Sequence, residues 1–218
     1  MFSIVLYTFC SVVSLWTGRY FYAVWKKSRN ADHLEFALFF FVLGLGFVIY
    51  LLAPVFFVPL AGVVAEVGLL VVLFSFAFVL RAFAHFARLP FSPNMLSIAV
   101  VALIGLKLMV WSVPWFLWPA LNNALVRWDY PVIDSLVFGA LVFIFSFSIA
   151  FTLITHSVGV SKHRRPLLFL GFAFFVGGMS GVLLPTAMNM ELLWAGNTLL
   201  FAAFLLVSLF VMNVSRNP

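Results

Sequence analysis

The sequence has very few charged residues and only one cysteine, and these two shortages exclude most classes of protein. Only 8% of its 218 residues are charged, whereas an ordinary soluble domain has about 25%, so polar groups cannot cover a water-facing surface. The lone cysteine, Cys10, excludes an internal disulfide and a cysteine-based metal site. Acidic residues number only six, which leaves hydrolytic chemistry almost nothing to work with.

In place of charge, the sequence has long apolar runs. It is 66% hydrophobic, with a mean hydropathy of +1.22. Runs such as residues 34–53 and 60–80 are unbroken, unlike the short alternating segments of a membrane β-barrel. A helix satisfies its own backbone in a bilayer, so the fold class is predicted to be an all-α integral membrane protein. No basic stretch precedes the first run and no cleavage site follows it, which favours a retained helix over a signal peptide.

Seven transmembrane helices are predicted, forming a single domain over residues 1–218. The spans follow from apolar length and from the charges and prolines that interrupt it. They are placed at about 3–25, 33–53, 60–89, 94–112, 132–157, 166–184 and 192–213. The loop from Trp115 to Pro131 is rich in Trp and Tyr, and we expect it to form a short helix lying on the outer interface.

Charge asymmetry predicts the orientation. Ten of the twelve basic residues fall at ends of apolar runs that would share one face of the membrane. They are Arg19, Lys26, Lys27, Arg29, Arg81, Arg88, Lys162, Arg164, Arg165 and Arg216. The positive-inside rule then places the N-terminus outside and the C-terminus in the cytoplasm. The positive charge is thereby assigned to topology and not to nucleic acid, and we expect a multi-pass protein of the plasma (cytoplasmic) membrane.

A weak internal symmetry suggests a repeat. Shifting the sequence by 131 residues places Gly46 on Gly177 and Glu66 on Asn197. Helices 1–3 would then correspond to helices 5–7, with helix 4 as the connector. This is the 3+1+3 layout of parallel repeats that some sugar transporters have. The similarity is one of layout only, and the repeat remains a hypothesis.

Four polar residues are predicted to lie at similar depth in the outer leaflet: Glu66, Lys107, Asp134 and Asn197. Ionisable groups inside a membrane are costly and often functional, so these residues are the candidate ligand-binding site. Two interpretations stay open. The residues could form a ligand or ion site open to the outside. Alternatively, Glu66 and Lys107 could form a structural pair, or each side chain could reach the interface separately.

Small polar residues and glycines line one face of several predicted helices. A polar stripe on helix 5 includes Ser148 and Thr152, and another on helix 1 includes Cys10 and Ser14. Such stripes line an aqueous path or, more commonly, a helix–helix contact. Three glycines share one face of helix 6 and indicate close packing there; they are Gly171, Gly178 and Gly181.

The chain offers little for cofactors or catalysis. His85 and His156 are placed at equal depth on different helices, where they could ligate a haem. Their basic neighbours instead favour histidines at a wet interface. The sequence contains no HExxH motif and no carboxylate pair within a span. We therefore expect no cofactor, no metal site and no enzymatic activity.

Two functions are consistent with these features. The first is a transporter or ligand-binding membrane module, with a polar site in the outer leaflet. The alternative is a non-catalytic membrane subunit or sensor-type partner of a larger membrane complex. The expected partners are the lipid bilayer, a small polar ligand or ion, and either other membrane chains or a second copy. Nucleic acid is not expected as a partner.

Overall fold

A computed structural model describes the backbone of residues 2–53, 58–86, 92–110, 119–122, 125–128, 132–159, 164–187 and 190–216. Side chains are described for residues 4–53, 63–84, 92–105, 135–157, 165–184, 187 and 191–214. Within these ranges the secondary structure is helical apart from one short two-stranded sheet.

The described residues form seven α-helices. They are α1 (Phe2–Ser28), α2 (Ala31–Leu52), α3 (Val58–Phe86), α4 (Pro93–Val110), α5 (Val132–Gly159), α6 (Arg164–Thr186) and α7 (Met190–Arg216). Each helix begins and ends within three residues of the bounds that apolar length and interrupting charges predict. The all-helical class follows from the same cause: uninterrupted apolar runs leave the helix as the one local structure that satisfies the backbone.

Five of the described helices are long and apolar enough to cross a membrane. The spans are Ala31–Leu52, Val63–Ala84, Ser135–Ser157, Arg165–Leu184 and Glu191–Val214. The other two helices are α1, which carries Arg19 and several hydroxyl side chains, and α4, whose apolar part covers Pro93–Gly105. The chain is therefore an apolar helical membrane protein, and its contact with a lipid bilayer follows from these spans.

The chain divides into two compact units, Met1–Val126 and Arg127–Pro218. In the first unit α1 packs on α2, α2 on α3 and α3 on α4. In the second unit α5 packs on α6 and α6 on α7. Helices that follow one another in sequence thus pack side by side in each unit.

A tight, capped turn joins α1 to α2. Arg29 adopts a left-handed backbone conformation with φ of 56°, and its N–H donates to the Trp25 carbonyl at 2.7 Å, which closes the end of α1. Asn30 then caps α2, since its side-chain oxygen accepts from the Asp32 N–H at 2.9 Å. The Ser28 hydroxyl lies 2.9 Å from His33 Nδ1 across the turn. These bonds fix α1 and α2 as an antiparallel pair.

The polar stripe of α1 is a packing face. Cys10, Ser14 and Thr17 are fully buried, and a side chain at Gly44 of α2 would meet Ser14 Cβ at 3.1 Å. Of the two interpretations, the structure confirms helix–helix contact for these residues. Further along the same seam, Phe21 stacks on Phe40 with ring centroids 5.9 Å apart, so small residues and aromatic rings alternate along the α1–α2 contact.

The α2–α3 contact is closer still. A Cβ at Gly46 would lie 2.7 Å from Val72 Cγ2 and 3.1 Å from the Gly68 carbonyl oxygen. The missing side chains at Gly46 and Gly68 therefore let the two backbones approach, as is common between membrane helices.

In the second unit the glycine face of α6 packs closely, as predicted, and the structure shows that its partner is α5. Cβ atoms at Gly171, Gly178 and Gly181 would meet Ile154, Ser146 and Val142 respectively. The polar stripe of α5 does not form this contact: Ser148 donates to the carbonyl of Ile144 in its own helix at 2.8 Å, and Thr155 is exposed. Sequence spacing selected the wrong face of α5, because a hydroxyl can satisfy itself on its own backbone anywhere on a helix.

The prediction of a short helix between α4 and α5 is wrong for the residues described there. Strands β1 (Pro119–Asn122) and β2 (Leu125–Trp128) form a two-stranded sheet. The second strand contains Val126 and Trp128, types that favour extended structure. The tryptophan content of this loop predicts that it lies at the membrane–water interface, but it does not predict which secondary structure the loop adopts there.

Candidate functional site

Glu66 of α3 is a buried acid, and it is one of the two candidates whose side chains the structure describes. Its exposed fraction is 1%, inside the apolar span Val63–Ala84. It lies eight residues from the start of α3, which is about 12 Å along the axis. The structure gives Glu66 a hydrogen-bonding or electrostatic neighbour. A carboxyl group held at this depth costs a few kcal/mol unless its surroundings compensate, so the position is chemically exceptional in the chain.

Glu66 shares a face of α3 with the residues that meet α4. The Ser97 hydroxyl of α4 donates to the Ala77 carbonyl of α3 at 3.1 Å, which marks the contact between the two helices. Glu66 precedes Ala77 by eleven residues, about three complete turns, so the two positions point in nearly the same direction. The contacts of α3 with α2 run instead through Gly68, two positions further on and on the other side of the helix.

Lys107 of α4 lies at the same level as Glu66. From the Ser97–Ala77 contact, Glu66 is eleven residues along α3 and Lys107 is ten residues along α4 in the same direction, because the helices are antiparallel. At about 1.5 Å per residue these distances differ by less than a third of a helical turn. The backbone of α4 thus brings Lys107 level with Glu66, while its side chain lies outside the described residues.

An aromatic pair lies near the level of Glu66 on the α2 side of the first unit. Tyr7 of α1 and Tyr50 of α2 have ring centroids 5.6 Å apart, and Tyr50 Cδ2 lies 3.0 Å from a Cβ built at Gly68, next but one to Glu66. One and two turns along α1 from Tyr7 follow Ser11 and Ser14, and the buried Ser14 hydroxyl oxygen makes no hydrogen bond within the described part of the chain. The polar stripe found on helix 1 in the sequence contains both Tyr7 and Ser14, but it gave no sign that Tyr50 of α2 lies against it.

Asn197 of α7 is the buried residue with an amide side chain in the described part of the second unit. It is 1% exposed, and its Nδ2 donates to the Leu193 carbonyl of its own helix at 2.7 Å. Its Oδ1 atom accepts no hydrogen bond from any described residue. Beside it, the Ser180 hydroxyl of α6 donates to the Gly196 carbonyl at 2.9 Å, linking α6 to α7. The second unit therefore contains a buried oxygen, Asn197 Oδ1, that could still accept a hydrogen bond.

Asp134 lies two residues after the start of α5, and its side chain lies outside the described residues. The four predicted site residues fall in both units: Glu66 and Lys107 belong to Met1–Val126, and Asp134 and Asn197 belong to Arg127–Pro218.

An ion pair that the sequence reasoning missed joins α2 to α3 at the opposite end from Glu66. Arg81 Nη2 lies 3.2 Å from Glu35 Oε1, with the Glu35 side chain 12% exposed. The sequence did contain a signal for this pair. Glu35 and Arg81 have opposite charges and lie on neighbouring antiparallel helices, both far from the α2–α3 connection. Charge asymmetry places Arg81 on the positive face of the membrane, and the structure shows that it also links α2 to α3.

The histidines show no cofactor geometry within the described residues. His156 is exposed, and the side chain of His85 lies outside them. His33 stacks on Phe21 with ring centroids 6.4 Å apart, at the α1–α2 turn. No group of three or more His, Cys, Asp or Glu side chains comes together in the part of the chain the structure describes.

Comparison with known proteins adds no constraint. No protein-family model, curated protein or solved structure matches the chain.

Proposed function

We propose that the protein is a non-enzymatic, seven-span ligand-binding or transport protein of the plasma membrane, with a site formed around Glu66 and Lys107 in the seam between α3 and α4. The observation that carries this proposal is the 1% exposure of Glu66 inside an apolar span. Packing alone would be served better by an apolar side chain there, because a buried ion pair is seldom more stable than its hydrophobic replacement.

The chemistry of the pair favours a small polar ligand. Glu66 offers an acceptor and Lys107 a donor, on helices whose backbones bring the two residues level, which suits a small zwitterion. The carboxylate alone suits a monovalent cation. Apolar side chains of α3, such as Leu69 and Leu73, continue the buried surface away from Glu66. A bulky or lipophilic ligand would need no buried charge.

The proposal also includes the 3+1+3 repeat, and one contact supports it. Under the shift of 131 residues, Gly46 and Val72 of the first unit correspond to Gly177 and Ala203 of the second. Gly46 meets Val72 in the α2–α3 contact, and Gly177 meets Ala203 in the α6–α7 contact. The same shift relates Glu66 to Asn197, each of which is 1% exposed. Matching registers in separate helix pairs support two related three-helix units, with α4 as the connecting span.

Ligand-induced stabilisation tests the proposed site. Purified protein in mild detergent is heated in the presence of sodium, potassium or small zwitterionic amino compounds, and the midpoint of unfolding is measured. A ligand at one hundred times its Kd stabilises the fold by about 2.7 kcal/mol, so we expect at least one probe to raise the midpoint by several degrees.

The matched variants are Glu66→Gln and Glu191→Gln, which remove one buried and one exposed carboxylate. The stabilisation should disappear in the first and persist in the second. An equal response in both variants, or no response of the wild type to any of these probes, contradicts a site at Glu66. Persistent co-purification of another membrane chain would then favour the alternative, a subunit of a larger complex.

The orientation is tested by a reporter that is active only in the cytoplasm. Attached after Pro218 it should give a signal, and inserted at Asn122 it should give none, because ten basic residues are assigned to the C-terminal face. The opposite pattern of signals contradicts the N-outside orientation. Signal from both positions contradicts an odd number of spans between Asn122 and the C-terminus.

A further inference from the structure

One exposed face of α1 carries cations at one end and apolar side chains at the other. The two ends match the charged headgroup and the apolar chains of a lipid. Arg19 and Lys26 are exposed and seven residues apart, which is about 10 Å along the axis and nearly the same direction around it. Towards the N-terminal half the same face carries Val12, 60% exposed, and Trp16, 43% exposed. The face is therefore apolar along one half of the helix and cationic along the other.

Arg19 is the unusual member of this face. It lies nine residues before the end of α1 at Ser28, about 14 Å along the axis, with exposed apolar neighbours. No described carboxylate lies within ion-pair distance of Arg19; the ion pair that the described residues form is between Arg81 and Glu35. An exposed guanidinium on a membrane helix needs an anion from its surroundings, since an isolated charge in lipid is costly.

Lys26, the second cation of this face, contacts an aromatic ring of its own helix. Its Nζ lies 5.1 Å from the centroid of the Tyr22 ring, one turn closer to Arg19. This cation–π contact orients the ammonium along α1. Arginine and lysine side chains of ordinary length, starting from positions two turns apart, can converge on one phosphate group.

We propose that this face binds an anionic phospholipid, with the phosphate between Arg19 and Lys26 and an acyl chain along Val12 and Trp16. Charge complementarity selects an anionic headgroup. The apolar half of the face selects a lipid over a soluble phosphate, because a free anion would leave it uncovered. The inference requires that the chain be embedded in a membrane, and it does not depend on the site at Glu66.

Native mass spectrometry of the full chain tests the proposal. Phosphatidylglycerol and phosphatidylcholine with identical acyl chains are titrated into protein held in a neutral detergent, and the ratio of their affinities is measured. A basic residue near an anionic lipid surface contributes about 1 kcal/mol, so Arg19→Gln and Lys26→Gln should each lower the preference for phosphatidylglycerol by about fivefold.

Arg165→Gln, at the start of α6, serves as the matched control, because Arg165 is an exposed cation on a different helix. The preference should change less than twofold in this variant. Because the two lipids are compared on the same folded preparation, reduced stability does not imitate the expected result. Equal losses in all three variants, no preference in the wild type, or full competition by glycerol phosphate would overturn a lipid site on α1.

Discussion

Replacing Glu66 by leucine should lower the free energy of unfolding by about 3–5 kcal/mol in detergent, the cost of removing one partner from a buried ion pair. The expectation follows from the 1% exposure of Glu66 and from the level at which α4 places Lys107. Leucine fills a similar volume, so the loss would come mainly from the ammonium left without its counter-charge. Equilibrium unfolding in mixed detergent micelles measures the change.

The double variant Glu66→Leu with Lys107→Leu separates pairing from simple loss of a residue. Because both charges are then removed, most of the stability should return, and it can exceed that of the wild type. If the pair also binds ligand, the stable double variant no longer responds to the probe that stabilises the wild type. Additive losses in the double variant would contradict the pair, since residues that do not interact show additive effects.

A side chain at Gly46 should separate α2 from α3. A Cβ there would lie 2.7 Å from Val72 Cγ2, 3.1 Å from the Gly68 carbonyl oxygen and 3.2 Å from the Val72 backbone nitrogen. Two of these atoms belong to the backbone and cannot move without moving the helix. We expect Gly46→Ala to cost about 1–3 kcal/mol, as overpacking does, and Gly46→Leu to cost more.

Gly105 of α4 is the matched control, because a Cβ there would meet nothing within 4 Å. Gly105→Ala should be neutral or stabilising by up to about 1 kcal/mol through helix propensity. Thermal unfolding of the three variants in one detergent gives the comparison. Equal stability of Gly46→Ala and the wild type would show that the α2–α3 contact is looser than its geometry implies.

The positions of the helices in this chain can be predicted from the sequence, because in lipid an apolar segment must satisfy its backbone hydrogen bonds within itself, and the α-helix does so. The apolar run 34–53 needed no knowledge of neighbours to be assigned as a helix, and α2 spans Ala31–Leu52. The glycine face of α6 was equally accessible, because three glycines on one side of a membrane helix have few uses other than close approach.

The features that sequence did not reveal depend on pairing between distant residues. The Glu35–Arg81 contact requires the register of α2 against α3, which Gly46 and Gly68 determine through packing. The face of α5 that meets α6 depends in the same way on Ser146 fitting against Gly178. Candidate site residues could be found as intramembrane polar groups, but their arrangement needed the Ser97–Ala77 contact to set α3 against α4.

The meeting of Glu66 and Lys107 is the central claim, and cross-linking measures it most directly. Cys10 is the only cysteine, so Cys10→Ala gives a background in which a pair of new cysteines can be joined by a short bifunctional thiol reagent. A protease site between α3 and α4 then reports the link, because joined fragments stay together after cleavage. The pair Ala77→Cys with Ser97→Cys is the positive control, since those residues already meet at 3.1 Å. Glu66→Cys with Lys107→Cys should link as efficiently as this control. Glu66→Cys with Ser97→Cys, about 16 Å apart along the helices, should not. Failure of the 66–107 pair to link while the control links would contradict the proposed site.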